Sequence, residues 1–133
     1  MSKLFYPAIF HPEDVGYSVT VPDIGGCVSE GDSLEEAYEM ITDAIGLCIT
    51  DMLENGTTAP IASSPQNIKH EKDDFVVLVE FDQLAYTRRH DTKAVKKTLT
   101  IPSWLNTMAE EKHLNFSGIL QDALKDQLNL PKQ

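Results

Sequence analysis

The feature that most constrains the fold is a long amphipathic helix pattern over residues 33–54. Ser33 stands where an N-cap is expected, and Glu36 follows three residues later, which is the spacing of a capping box. The pair Asn55–Gly56 supplies a stop signal. Apolar residues between these signals recur at every third or fourth position and form one stripe: Leu34, Ala37, Tyr38, Ile41, Ala44, Ile45, Cys48, Met52 and Leu53. The pattern predicts one helix with a single buried face.

Strand patterns lie on both sides of this helix. Residues 4–10 and the alternating residues 17–21 are separated by turn formers, which predicts an antiparallel hairpin. Residues 27–30 can add a short third strand. Residues 74–81 are apolar on nearly both faces, which is typical of a strand inside a sheet that a helix covers. Residues 1–82 are therefore predicted to form a small α+β domain.

The last third of the chain is organised differently. Residues 83–94 are polar, and we predict that they form a linker that includes a hinge or a short helix. Residues 95–133 form the second predicted domain. It contains a strand that ends at Pro102, followed by helices over residues 103–112 and 117–128.

This second domain is too small to fold unaided. A unit of about 40 residues buries too little apolar surface for independent stability, and its single strand has no obvious partner in the chain. Pairing with the same strand of a second copy satisfies the backbone groups of the strand and merges two half-cores. We therefore expect a homodimer formed through residues 95–128.

Charge is distributed unevenly along the chain. The net charge of the whole chain is −10, which by itself argues against nucleic-acid binding. Residues 1–82, however, carry 3 basic and 16 acidic side chains, whereas residues 83–133 carry 8 basic and 5 acidic ones. The acidic part is compatible with a simple role in solubility, and the basic part can approach a nucleic acid.

Several classes of protein are disfavoured by what the sequence lacks. No apolar run reaches the ~20 residues of a membrane helix, and the N-terminus lacks a signal-peptide pattern. We therefore expect a cytoplasmic protein without membrane contact. Cys27 and Cys48 are too few for a disulfide framework and lie outside any zinc-binding spacing. We expect no metal and no cofactor.

Catalysis is also not expected. Two-metal nuclease chemistry needs several carboxylates that converge on strand ends, and Glu80 is the only carboxylate predicted in the middle of a strand. The four histidines are far apart and have no catalytic partner in sequence: His11, His70, His90 and His113. We therefore predict no catalytic residues and no enzymatic activity.

Residues 95–128 resemble a ribbon-helix-helix DNA-binding domain, with a strand that ends in Ile101–Pro102, a first helix, a polar break and a second helix. A two-stranded ribbon fits the major groove of DNA. The resemblance implies that backbone N–H groups at the start of the second helix, around Ser117 and Gly118, hold a phosphate. It also implies that alternate outward residues of the strand read base edges: Lys96, Thr98 and Thr100.

Two further lysines lie close to the predicted base-reading residues, Lys93 before the ribbon strand and Lys97 within it. We expect Lys93 and Lys97 to hold phosphates or to steer the approach to DNA. Lys97, however, lies on the core-side register of the strand and can instead extend its stem along apolar surface. Because ribbon-helix-helix dimers typically bind adjacent half-sites, the resemblance also allows a tetramer.

The stretch from Val21 to Ala37 is similar to the signature of HicB antitoxins: Pro-Asp after a strand, a small loop, Gly-Cys, a short strand, Gly-Asp and a capped Leu-Glu-Glu-Ala helix. The resemblance covers residues 3–82 and, with the tail, nearly the whole chain. It implies a reduced ribonuclease-H-like fold. It also implies that the first domain binds HicA, a small basic toxin that cleaves messenger RNA, and that the tail represses the shared operon by binding its operator.

The acidic first domain agrees with this implied partner. An RNA-cleaving toxin needs a positive working face, and an acidic protein is complementary to such a face. Taken singly, each acidic residue is equally consistent with a solvated rim. Four acidic residues on turns at one predicted end of the sheet are expected to contribute to toxin binding: Asp14, Asp23, Glu30 and Asp32.

Two alternatives stay open beside this antitoxin and autorepressor. One is a stand-alone ribbon-helix-helix transcriptional regulator whose N-terminal domain senses a small ligand. The other is an enzyme with a regulatory tail, which needs a cleft with perturbed carboxylates. An adjacent gene for a small basic protein distinguishes the antitoxin from the stand-alone regulator.

Overall fold

The computed structural model describes residues 2–131. The strands in this range are β1 (Lys3–Pro12), β2 (Tyr17–Thr20), β3 (Val28–Gly31) and β4 (Phe75–Asp82). The helices are α1 (Leu34–Glu54), α2 (Gln83–His90), α3 (Ser103–Glu111) and α4 (Phe116–Gln127), and Pro65–Asn67 form a short 3-10 turn. None of the helices within these residues is long and apolar enough to cross a membrane. The chain divides into two compact units, one up to residue 93 and the other from residue 94.

The four strands form one antiparallel sheet with the order β3-β2-β1-β4. The predicted hairpin and the short third strand are confirmed, and Phe10 of β1 stands opposite both Val19 and Phe75. The prediction that residues 74–81 lie inside the sheet is wrong, because β4 pairs with β1 alone and forms an edge. Its Leu78 is 48% exposed on the face opposite the core.

Helix α1 covers one face of this sheet and completes the core. Ser33 caps the helix as predicted, because its Oγ accepts a hydrogen bond from the Glu36 N–H at 3.1 Å. The buried side chains of α1 recur at helical spacing: Ala37, Ile41, Ile45 and Ile49. They pack in one cluster with buried residues of β1, β2 and β4: Tyr6, Ala8, Phe10, Val19, Val79 and Phe81. The predicted α+β architecture is therefore confirmed for the first unit.

Helix α2 belongs to the first compact unit, although the sequence pattern assigns residues 83–94 to a linker. Asp82 caps this helix by accepting a hydrogen bond from the Ala85 N–H at 3.0 Å. The ring of Tyr86 packs against Phe81 of the sheet, with 5.5 Å between the two ring centroids. The short helix predicted in this segment is present, but it packs against the sheet and belongs to the first unit.

The second unit contains α3 and α4, both close to their predicted bounds. The last helix is predicted to start at Ser117, which differs slightly from the observed start. The helix begins one residue earlier, and its N-cap is Asn115, whose Oδ1 accepts a hydrogen bond from the Gly118 N–H at 3.1 Å. Residues 94–102 are in no helix or strand. A ribbon strand needs a second chain to pair with, so the strand over residues 95–101 stays a prediction.

Candidate functional site

Three of the four acids predicted to bind a toxin lie at one end of the sheet. Asp14 is in the turn between β1 and β2, Glu30 is near the end of β3, and Asp32 follows that strand. The turn and the end of β3 are in close contact, because a β-carbon on Gly16 would collide with the Gly31 carbonyl and with Asp32. Gly16 also has a φ of +75°, a conformation that favours glycine. All three acidic residues are exposed.

The fourth acid, Asp23, lies at the opposite end of the β2–β3 hairpin, so the prediction that all four acids share one end is wrong. Turns in an antiparallel meander alternate between the two ends of the sheet, and Asp23 is in the turn after β2. Its carboxylate accepts hydrogen bonds from the Ser63 N–H at 2.8 Å and from the Ser63 hydroxyl at 2.6 Å. Asp23 therefore anchors the long connection between α1 and β4.

A second contact holds the same connection. The Tyr6 hydroxyl of β1 donates a hydrogen bond to the Pro60 carbonyl at 2.7 Å. Burial, and to a smaller extent the Asp23 carboxylate, raises the pKa of Tyr6. The Tyr6 side chain is thus a neutral hydrogen-bond donor at physiological pH and stabilises the path of the connection.

A cavity of about 370 Å³ lies where the first turns of α1 pass over the sheet. We name it the α1–β4 groove. Six residues line it: Phe10, Leu34, Glu35, Tyr38, Glu39 and Val77. All six belong to the first compact unit, so the groove is formed within a single packed domain.

The α1–β4 groove has an apolar interior and an acidic rim. Leu34 is 46% exposed, although the sequence pattern places it on the buried stripe of α1. Glu35 and Glu39 are exposed and stand one helical turn apart. Tyr38 is held in place because its hydroxyl accepts a hydrogen bond from the Glu80 N–H of β4 at 3.2 Å. From the sequence, the i, i+4 spacing shows that the two glutamates share one face of α1, but it does not indicate a groove.

A chain of three polar side chains ties β1 and β2 to the residue before β4. Nδ1 of His11 lies 2.7 Å from Asp74 Oδ2, and Nε2 lies 3.1 Å from Thr20 Oγ1. The order hydroxyl, imidazole, carboxylate is that of a nucleophile triad, but none of the three residues lines the α1–β4 groove. We assign these contacts to strand registration. The sequence did not indicate them, because the partners of His11 are 9 and 63 positions away.

The two cysteines are free thiols inside the first unit. Burial, and secondarily the neighbouring Cys48, raises the pKa of Cys27 to about 12. A thiol with so high a pKa stays protonated at neutral pH and is a poor nucleophile. Within residues 2–131, no group of three or more His, Cys, Asp or Glu side chains is placed to hold a metal ion.

The side chains predicted to contact DNA are exposed. Five of them lie in residues 93–100, outside any helix or strand: Lys93, Lys96, Lys97, Thr98 and Thr100. The apolar residues of the same segment are exposed as well, with Val95 at 86%, Leu99 at 57% and Ile101 at 50%. Neither face of this segment is therefore covered in the single chain.

The start of α4 has fewer unpaired amides than the sequence predicts. The Gly118 N–H is bonded to the Asn115 side chain, so this amide is already used by the cap. The Ser117 amide lies in the first turn, where an N–H has no partner within the helix. The Ser117 hydroxyl accepts a hydrogen bond from Gln121 Nε2 at 3.1 Å. Of the two amides predicted to hold a phosphate, only that of Ser117 lies outside the cap.

Comparison with known proteins places the chain in a family. A family profile described as "HicB_like antitoxin of bacterial toxin-antitoxin system" matches residues 6–124. A relative from Haemophilus phage HP1, described as an uncharacterized 14.9 kDa protein in the rep-hol intergenic region, is 33% identical over 104 residues. That match covers 77% of this chain and 76% of the phage protein.

Two solved structures are similar to nearly the whole chain. The toxin–antitoxin complex from Streptococcus pneumoniae is 28% identical with a TM-score of 0.56, and the match covers 94% of this chain and 99% of that one. The Burkholderia pseudomallei antitoxin HicB is 25% identical with a TM-score of 0.55, at coverages of 94% and 98%. Fold and family together define an antitoxin of the toxin–antitoxin class. The chain belongs to the HicB-like antitoxins, which confirms the resemblance in its sequence.

Proposed function

We propose that this chain binds and neutralises a HicA-like, mRNA-cleaving toxin and represses its own operon by binding operator DNA. The observation that carries the proposal is the family match over residues 6–124, because that range includes most of both compact units. A similar solved structure is described as a toxin–antitoxin complex, which supports the toxin as a partner. The chain acts by binding, and we assign it no catalytic residue and no cofactor.

The first unit is the proposed toxin-binding part. Its surface is acidic, and a toxin that cleaves RNA needs a positive face to attract phosphates, so the two surfaces attract each other. Asp14, Glu30 and Asp32 are proposed contacts, because they are exposed together at one end of the sheet. Asp23 is proposed to act on the fold instead, through its two hydrogen bonds to Ser63. Three antiparallel strands, a covering helix and a fourth strand beside β1 support a reduced ribonuclease-H-like fold.

The second unit is the proposed dimerisation and DNA-binding part. Its single chain leaves large apolar side chains exposed: Val95, Leu99, Ile101, Trp104, Met108, Phe116, Ile119 and Leu128. A second copy would cover these side chains through residues 95–128 and would pair residues 95–101 as a ribbon. In that ribbon-helix-helix arrangement, Lys96, Thr98 and Thr100 would read base edges in the major groove.

Phosphate contacts are proposed for Lys93, Lys97 and the Ser117 amide. Gly118 serves the helix cap, because a β-carbon at this position would lie 2.8 Å from the Asn115 side-chain nitrogen. Two dimers on adjacent half-sites would form a tetramer. This DNA-binding role places the protein in the cytoplasm, where its operator is.

Co-purification tests the division of labour between the two units. The tagged chain is co-expressed with the small basic protein of the neighbouring reading frame, and operator binding is followed by a gel shift. We expect the full chain to retain both partners, and a chain that ends after Lys93, which keeps α2, to retain the toxin and lose the operator. A full chain that retains neither partner would overturn the proposal.

A further inference from the structure

We propose that the α1–β4 groove receives a lysine or arginine side chain of the toxin. This inference rests on the proposed function and adds to it a specific contact. The occupant is a cationic side chain of a protein partner, with its aliphatic stem inside the groove and its charged head at the rim.

The interior of the α1–β4 groove suits an aliphatic stem. Phe10 and Val77 of the sheet and Leu34 of α1 form its apolar surface. Leu34 is 46% exposed, so part of this surface is in contact with water in the single chain. Lysine and arginine place their methylene groups on apolar surface while their charged ends stay in a polar setting. Covering Leu34 therefore adds an apolar contribution to binding.

The rim of the α1–β4 groove suits the charged end. Glu35 and Glu39 are one helical turn apart, so one cation can contact both carboxylates. Neither glutamate forms an ion pair within residues 2–131, whereas two other acidic residues of the first unit, Glu80 and Asp43, do. Lys3 lies 3.1 Å from Glu80, and Arg89 lies 3.2 Å from Asp43. The carboxylates of Glu35 and Glu39 are thus available to a cation of a partner protein.

The geometry of the α1–β4 groove is fixed before binding. Tyr38 forms part of its lining, and the hydrogen bond from the Glu80 N–H to the Tyr38 hydroxyl holds that ring against β4. Ser33 fixes the first turn of α1 through its cap. A preformed site loses little conformational entropy on binding, which favours a specific contact over diffuse attraction.

Charge selects a protein partner over a nucleic acid. The first 82 residues carry 16 acidic and 3 basic side chains, so a phosphate backbone is repelled from this unit. A basic protein is attracted, and the α1–β4 groove supplies a defined place for one of its cations. A toxin that binds RNA carries such cations on the surface that an antitoxin has to cover.

The test compares two double variants of α1 with the same net charge. Glu35→Gln/Glu39→Gln removes the rim carboxylates, whereas Glu36→Gln/Glu54→Gln removes two exposed glutamates of α1 that do not line the groove. Affinity is measured by calorimetry against a catalytically inactive form of the purified toxin of the neighbouring reading frame. We expect the rim variant to weaken binding by about tenfold or more, and the control variant by less than about threefold.

A third variant tests the interior of the α1–β4 groove. Leu34→Arg places a cation of the chain itself beside the two rim glutamates and is expected to weaken toxin binding like the rim variant. Circular dichroism reports whether each variant is folded. Equal toxin affinity of the folded rim and control variants would overturn this inference while leaving the proposed function standing. A wild-type chain that binds no toxin would overturn the proposed function itself.

Discussion

The ring of Tyr86 lies directly over Gly46, and a β-carbon at position 46 would collide with three of its ring atoms. The contact joins α2 to the middle of α1 and places α2 in the first unit. Arg89 of α2 adds an ion pair with Asp43 of α1 at 3.2 Å. The contact explains a glycine inside a helix, where glycine otherwise costs about 1 kcal/mol relative to alanine.

Gly46→Ala is expected to destabilise the first unit. Alanine favours the helix, but its β-carbon displaces the Tyr86 ring, so we expect the free energy of unfolding to fall by about 1–3 kcal/mol. Urea unfolding of the full-length chain measures the change. Gly25→Ala is the matched control, because a β-carbon at Gly25 has no atom within 4 Å. Equal stability of the two variants would show that α2 does not pack on α1 in solution.

Asp23→Ala is expected to lower stability without changing toxin affinity. The substitution removes two hydrogen bonds to Ser63, and we expect a loss of about 1 kcal/mol in the free energy of unfolding. Asp14→Ala/Asp32→Ala should show the reverse pattern, with unchanged stability and weaker toxin binding. Urea unfolding and calorimetry are measured on both variants. A large loss of toxin affinity in folded Asp23→Ala would return this residue to the toxin interface.

The stability of the first unit is expected to fall at high pH through Cys27. Burial favours the neutral thiol, and the pKa of Cys27 is about 12 in the folded chain against 9.0 for an unperturbed thiol. The stabilisation is therefore fully present below about pH 9 and is lost as the pH rises toward 12. Unfolding free energies measured between these values should fall more steeply for the wild type than for Cys27→Ala. Parallel curves would contradict the buried, neutral thiol.

The parts of the fold that the sequence predicts are those fixed by local signals. The cap at Ser33 and the hairpin depend on residues a few positions apart, and both are confirmed. The stripe of α1 is confirmed at its centre, whereas its predicted members Leu34 and Leu53 are exposed. The edge position of β4 was not predictable, because strand order is set by pairing across the long connection. The docking of α2 was not predictable either, because Tyr86 and Gly46 are far apart in sequence and a polar segment with weak periodicity gives no sign of a partner.

The candidate binding surfaces also differ in how far local sequence signals predict them. The lysines and threonines of residues 93–100 are assigned to DNA through the ribbon-helix-helix resemblance, and this assignment stays a prediction. The cap of α4 could not be assigned from the sequence. Asn115 and Ser117 are both good N-cap residues, and the choice between them depends on where the preceding chain turns. The α1–β4 groove was not predicted, because the apolar stripe of α1 gives no sign of where the sheet stops covering it. Leu34 belongs to the stripe but is left exposed at the groove.

Operator binding is expected to depend on the outward side chains of the segment around residue 98. Lys96→Ala/Thr98→Ala removes a cation and a hydroxyl that are exposed in the single chain. We expect operator binding to fall by about tenfold or more in a gel shift, while toxin affinity is unchanged. Lys112→Ala, which removes a cation beyond α3, is the control and should retain the operator. An equal loss of operator binding in both variants would show that the loss follows from the reduced positive charge and not from a specific contact.

The most direct measurement of the central claim is growth of cells that express the toxin of the neighbouring reading frame. The claim is that the first unit covers that toxin, so co-expression of the wild-type chain should restore growth, and Lys96→Ala/Thr98→Ala should restore it equally when both proteins are expressed from foreign promoters. Cells that stop growing although the wild-type chain is folded and in excess over the toxin would contradict the claim.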